Sequence, residues 1–155
     1  MKNNIRYRFA DVQDLDAIYQ YLLSMAQEQG VAERFSQTKD SLSKALFSNN
    51  PLAIVLIAEM DGAIAGFCLY STTHRNFTLF EGPGLYIHDL YVVPQFRRKN
   101  IATGLLNEIE KIARQQSFSR IDWVVLKENQ GAIAFYDTVK NATLVDYIRY
   151  MRILL

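Results

Sequence analysis

The sequence predicts an α/β (α+β) chain with a mixed, largely antiparallel central sheet flanked by helices, in the order β-α-α-β-β-β-α-β-α-β-β. Three observations predict it. Two β-type runs, Leu52 to Met60 and Ala63 to Thr73, are joined by the turn pair Asp61-Gly62, a hairpin signal. The most strand-like run, Leu85 to Val93, leads through Pro94 and a short basic turn into the apolar-periodic segment Ile101, Leu105, Ile109, Ile112, Ala113. Two amphipathic helical patterns separate the first strand from the hairpin, which sets the β-α-α-β opening.

Taken in order, Ile5 to Phe9 alternates apolar and basic residues and reads as a strand. Asp11 is placed to cap the helix that follows, whose inner face is Leu15, Ile18, Tyr19, Leu22 and Ala26 and whose end is Gly30. Thr38 caps a second helix with Leu42, Ala45 and Leu46 inward, stopped by Asn49-Asn50-Pro51. After the hairpin, residues 74–83 are irregular and contain Phe77 and Phe80. The helix from Ile101 runs to Gln116, and Ile121 to Leu126 reads as a buried strand. Gln130 to Thr138 is a short helix, and Thr143 to Tyr147 and Arg149 to Leu154 read as two last strands.

At 155 residues, the chain is expected to form a single domain, residues 1–155, with a substantial core. Seventeen basic residues against sixteen acidic ones give a formal charge of +1, so nothing global favours nucleic acid or an anionic membrane. One cysteine, Cys68, excludes an internal disulfide and a cysteine-based metal cluster, and its apolar surroundings make it a core residue. No apolar h-region follows Met1, and the longest apolar run, Leu52 to Ala58, is strand-sized. A soluble cytoplasmic protein is expected.

The local exception to this neutral balance is Gln95-Phe96-Arg97-Arg98-Lys99-Asn100-Ile101-Ala102-Thr103-Gly104. A strand, a basic turn and a helix start put three cationic side chains beside the unpaired N–H groups of a helix N-terminus. Cations are unfavourable there unless an anion is bound, because the helix dipole is positive at that end. The turn therefore reads as a phosphate site; the alternative is a solvated basic turn.

In this setting Leu90-Tyr91-Val92-Val93-Pro94-Gln95-Phe96-Arg97-Arg98-Lys99-Asn100-Ile101-Ala102 resembles the acyl-CoA-binding motif of the GNAT superfamily of N-acetyltransferases. In that motif a strand ending in Val-x-Pro precedes [Gln or Arg]-x-x-Gly-x-[Gly or Ala]. Arg97 holds the first position and Ala102 the last, while Asn100 stands where the family has glycine. Asparagine tolerates the left-handed backbone better than other non-glycine residues. A second segment, Asn129-Gln130-Gly131-Ala132-Ile133-Ala134-Phe135-Tyr136, resembles the family's Asn-x-x-[Ala or Ser]-x-x-Phe-Tyr. The glycine that usually follows it is absent, and Asn141 is the residue able to end the helix in its place. A third, Leu85-Tyr86-Ile87-His88-Asp89-Leu90-Tyr91-Val92, is similar to the Leu-Tyr-Leu-Glu-Asp-Leu-Tyr-Val strand of the spermidine/spermine and thialysine N-acetyltransferase branch, with His88 in place of glutamate.

The resemblance implies the GNAT fold and an acetyl-CoA-dependent N-acetyltransferase. The acceptor would be a primary amine of a small molecule (diamine, polyamine or amino-acid-like), acetylated by direct transfer in a ternary complex. It implies that the amides and charges of Arg97, Arg98, Lys99, Asn100, Ile101, Ala102 and Thr103 hold the CoA phosphates. Leu90, Tyr91 and Val92 would offer backbone groups to the pantetheine arm, and Asn129, Gly131 and Tyr136 complete the cofactor contacts. For Asn129 a helix N-cap is the other reading, and both hold together. Tyr136 is implied as the acid that protonates the departing thiolate.

His88 and Asp89 are the substrate-side candidates, His88 either as base, with an ordinary pKa of about 6.5, or as a hydrogen-bonded strand residue. In a regular strand these neighbours point to opposite faces; a bulge brings them together. Loss of the branch's glutamate removes a negative charge and weakens the case for a polycation. Glu28, Gln29, Glu33, Arg34, Phe77, Phe80 and Glu81 fall in segments that border the acceptor site in the family. No metal is required, no nucleic acid or membrane partner is expected, and the branch implies a homodimer. The rival readings are a non-catalytic acyl-CoA-binding regulatory domain, motivated by Asn100 and His88, and a nucleic-acid module resting only on Arg97-Arg98-Lys99.

Overall fold

The computed structural model describes residues 4–73 and 78–145. It divides into two compact units, Met1–Val124 and Val125–Leu155. The first holds a five-stranded sheet in the order β1-β2-β3-β4-β5: β1 (Ile5–Phe9), β2 (Ile54–Met60), β3 (Ala63–Thr73), β4 (Gly84–Val92) and β5 (Ile121–Trp123). The first four strands are antiparallel, and β5 joins β4 in parallel. The hairpin turns at Asp61-Gly62, both at positive φ (52° and 80°).

Helices α1 (Leu15–Glu28) and α2 (Lys39–Phe47) cover one face of the sheet, and α3 (Ile101–Gln115) covers the other. Their starts follow from capping. The Thr38 hydroxyl accepts from the Ser41 N–H at 3.1 Å, and the Ser41 hydroxyl accepts from the Thr38 N–H at 3.1 Å. Asp11 caps a short 3-10 turn, Val12–Asp14, rather than α1 itself. That turn holds the buried Asp14, which takes both terminal nitrogens of Arg8 at 2.7 and 2.8 Å. The α3 stripe predicted from the sequence, Ile101, Leu105, Ile109, Ile112 and Ala113, is the buried face of that helix.

Each face has its own apolar cluster. On the α3 side lie Cys68 and Tyr70 of β3 and Leu85 and Ile87 of β4. On the α1/α2 side lie Phe67 and Leu69 of β3 and Tyr91 and Val93 at the end of β4. Cys68 is fully buried and its thiol pKa is pushed up by burial, as befits a core residue.

The second unit contains α4 (Gln130–Tyr136), capped by the Asn129 carboxamide, which accepts from the Ala132 N–H at 3.0 Å. Asn141 follows at φ 66°, the left-handed conformation expected of a helix-ending residue. Two expectations are corrected here. The strand expected over Ile121 to Leu126 ends at Trp123, and Val124 and Leu126 are exposed rather than buried. The helix expected to reach Thr138 ends at Tyr136, because Thr138 and Val139 turn back with N–H bonds to Phe135 and Tyr136. Residues 143–145 are irregular, and the rest of the two expected last strands lies outside the described residues.

Gly66 pairs with Val92, and a Cβ there would lie 2.5 Å from the Tyr91 carbonyl oxygen. Backbone cannot yield as a side-chain tip can, so Gly66→Ala is expected to destabilise the fold by about 2 kcal/mol. The comparison of denaturation midpoints with wild type checks this.

Candidate active site

Strand β4 carries the candidate residues, and an irregularity in it decides where they point. Leu69 pairs with Asp89 but Tyr70 pairs with Ile87, so His88 is an extra residue opposite β3. The effect is visible in the packing. Leu85 and Ile87 face α3, whereas Tyr91 and Val93, also odd-numbered, face α1 and α2. One inserted residue has exchanged the faces, and His88 and Asp89 now lie on the same side.

Both line a cleft of about 370 Å³. Its other walls include Leu22 of α1, Leu42 and Leu46 of α2, and Leu69 and Ser71 of β3. His88 Nε2 is 2.7 Å from Ser71 Oγ, and its ring meets Tyr86 edge-on with centroids 5.0 Å apart. Partial desolvation holds the imidazole below its ordinary pKa, so it is neutral at pH 7. The Asp89 carboxylate is half-buried and has no hydrogen bond or ion pair among the described residues. Burial pushes its pKa up to about 6. At neutral pH the polar end of the cleft thus presents a free base beside a carboxylate, a suitable environment for an ammonium group. Ser71 was not singled out in the sequence; a serine inside a strand gives no signal until the pairing register places it beside His88.

The second feature is the open edge of β4. β5 pairs only with Leu85, Tyr86 and Ile87 and then ends, leaving 88–92 without a partner strand on that side among the described residues. The basic turn continues from this edge. Asn100 sits at φ 63°, ψ 20° and Arg98 at φ 60°, the left-handed conformations that a short turn needs there. The Asn100 side chain makes no cap bond, and the first helical bond is from the Gly104 N–H to the Asn100 carbonyl at 2.9 Å. The N–H groups of 98–103 donate to no acceptor among the described residues. A row of unpaired amides at the start of a fifteen-residue helix fits a bound phosphate group.

The three basic side chains of the turn divide. Arg97 turns back to the strand edge: its Nε donates to the Val92 carbonyl at 3.0 Å, and a terminal nitrogen meets Glu28 Oε2 at 2.5 Å. Tyr91 donates to the other oxygen of Glu28 at 2.8 Å. Lys99 lies over the Phe96 ring, 5.4 Å from its centre, and Arg98 is exposed. Phe80, from the segment expected to border the acceptor site, lies under the Arg120 guanidinium at 4.4 Å. Phe77 lies outside the described residues.

The second unit, taken by itself, places Gly131 in the first turn of α4 and Tyr136 at its last residue. The rings of Phe135 and Tyr136 are 5.3 Å apart. The oxygen of Asn129 is committed to its own helix, which leaves its NH₂ group as the donor for any ligand.

The raised pKa of Asp89 has a consequence for stability. The folded chain binds this proton more tightly than the unfolded chain, so stability falls as pH rises from 3.8 to about 6 and the loss persists above it. Asp89→Asn is expected to be more stable than wild type at pH 7, by roughly 3 kcal/mol at most, with the difference fading towards pH 4. Urea titrations at the two pH values measure this.

Comparison with known proteins identifies the family. The model of the "Acetyltransferase (GNAT) family" matches residues 15–139. A thialysine N-ε-acetyltransferase of Caenorhabditis elegans is 31% identical over 125 residues, 79% of this chain and 76% of that protein. An L-ornithine N5-acetyltransferase of Arabidopsis thaliana is 32% identical over 77 residues, half of this chain and 33% of that one. Among solved structures, a possible acetyltransferase from Clostridium difficile 630 superposes with a TM-score of 0.78 at 26% identity, covering 97% of this chain and 98% of that one. A match across 15–139, carrying both the basic turn and the Asn129 to Tyr136 segment, means that the chain belongs to the GNAT family of acetyltransferases.

Proposed function

We propose that the chain transfers the acetyl group of acetyl-CoA to a primary amine of a small molecule, by direct attack within a ternary complex. The observation that carries this reading is the single inserted residue in β4, which turns His88 and Asp89 into one cleft beside an open strand edge that continues into a row of unpaired amides. The phosphates of CoA fit the amides of 98–103, and Arg98 and Lys99 add charge. The pantetheine arm fits the free edge of β4 at Leu90, Tyr91 and Val92 as an additional strand. Asn129 and Gly131 at the start of α4 complete the cofactor contacts.

The amine reaches the cleft protonated. Asp89 attracts it, and neutral His88 accepts its proton directly or through water, freeing the nitrogen lone pair. That nitrogen attacks the thioester carbonyl carbon. A C–N bond forms, the C–S bond breaks, and the departing sulfur takes the Tyr136 hydroxyl proton. A cleft with one carboxylate suits one ammonium better than a polycation. The thialysine and ornithine acetyltransferases it resembles point to the terminal amine of an amino-acid-like molecule. We extend the reading to a homodimer with no metal requirement, on the likeness to that branch.

Thiolate release from acetyl-CoA, followed across a panel of ornithine, thialysine, diamines and spermidine, is expected to show turnover with at least one terminal amine. Tyr136→Phe is expected to lower kcat by about 100-fold with KM for acetyl-CoA little changed; an unchanged kcat removes Tyr136 from its role. Asp89 places the acid limb of the kcat/KM profile near pH 6, where its carboxylate loses its charge. His88→Ala is expected to abolish catalysis by the base, seen as a 10²- to 10³-fold fall in kcat at pH 7, roughly the worth of one positioned base.

A further inference from the structure

The side chain of Arg97 occupies ground that the cofactor reading assigns elsewhere. The Val93 N–H donates to the Ala65 carbonyl of β3 at 2.9 Å, so the neighbouring Val92 carbonyl points away from β3, to the open edge. Arg97 Nε caps that carbonyl at 3.0 Å. The guanidinium is held in place by Glu28, the last residue of α1, whose second oxygen accepts from Tyr91. The ring of Tyr91 lies 5.7 Å from the guanidinium carbon. Val92, Arg97, Glu28 and Tyr91 thus form a closed loop of contacts between the strand edge and the end of α1. The Arg97 and Glu28 side chains are 45% and 40% exposed, so the ion pair is weak enough to exchange.

We propose that Arg97 is a positioning residue that latches the open edge of β4 to the end of α1 and is displaced by the pantetheine arm. The inference rests on the assignment of that edge to acetyl-CoA. An amide N–H of the arm replaces the guanidinium at the Val92 carbonyl, and the guanidinium leaves Glu28 with it. The end of α1 then loses its tie to β4. That helix also supplies Leu22 to the cleft and leads into the segment before α2. Acetyl-CoA binding is thereby coupled to the mobility of one cleft wall. Coupling of this kind is reciprocal: whatever weakens the latch tightens the cofactor.

The test uses the full chain and desulfo-CoA, which keeps the arm and phosphates but cannot transfer an acetyl group. Glu28→Gln removes the charge that anchors the latch and is expected to tighten desulfo-CoA by about two- to five-fold in calorimetric titration, the worth of one exposed ion pair. Glu28→Asp, which keeps the charge, is expected to stay near wild type. In wild type, desulfo-CoA is expected to raise hydrogen exchange at the amides of Gln29, Gly30 and Val31, which close the end of α1. A brace that serves only stability predicts the reverse, weaker binding in Glu28→Gln and slower exchange on binding. Weaker or unchanged affinity in Glu28→Gln overturns the latch while leaving the cofactor assignment intact. If Glu28→Gln fails to fold, Tyr91→Phe loosens the same carboxylate and is expected to tighten desulfo-CoA by a smaller factor; no tightening overturns the latch. No binding of desulfo-CoA to wild type sinks the cofactor assignment, and the latch with it.

Discussion

The architecture of the candidate site depends on one extra residue in β4. Strand side chains alternate with period two, so an uninterrupted strand would place Asp89 on the face of Leu85 and Ile87, against the apolar side of α3. A carboxylate there costs several kcal/mol unless it is protonated or paired. The insertion at His88 avoids that cost and reverses the faces beyond it. Asp89 joins the cleft, Tyr91 reaches Glu28, and Leu90 and Val92 pack on the α3 side. The faces on both sides of the bulge are pinned by buried apolar residues, which makes the irregularity a requirement of the core rather than a local accident.

A second constraint acts at the turn that follows. Three cations precede a helix N-terminus, an arrangement that is electrostatically unfavourable by itself. The chain answers it unequally. Arg97 folds back onto an acid and a carbonyl, Lys99 lies over an aromatic ring, and Arg98 stays in solvent. The amides meanwhile stay unpaired because Asn100 takes the left-handed conformation and its side chain does not cap the helix. A preferred N-cap interaction has been given up at the position where an anion would compete with it. That trade links the local backbone to the phosphate chemistry of the family.

Much of this was legible beforehand. The hairpin, the first strand and the Thr38 cap follow from turn pairs, alternation and a capping pattern, all local properties of a few neighbouring residues. The basic turn was legible as a candidate phosphate site, and the segment around Tyr136 was recognisable by its resemblance to the family motif. The end of β5 was not. Val124 and Leu126 look like strand-core residues, but whether an apolar residue is buried depends on what packs against it. The partners of Arg97 were equally hidden, since Glu28 is 69 residues away in the chain.

The sequence by itself determined the order of elements from β1 to α4 and the identities of the chemical groups, and its motif resemblance determined the family, because periodicity, caps and motifs are written over short distances. The tertiary structure alone decided which face each group serves. Two adjacent residues, His88 and Asp89, were compatible with opposite faces or with one. The choice lay with the pairing of β4 against β3, where two buried clusters on opposite sides of the sheet admit one register and place the extra residue at His88.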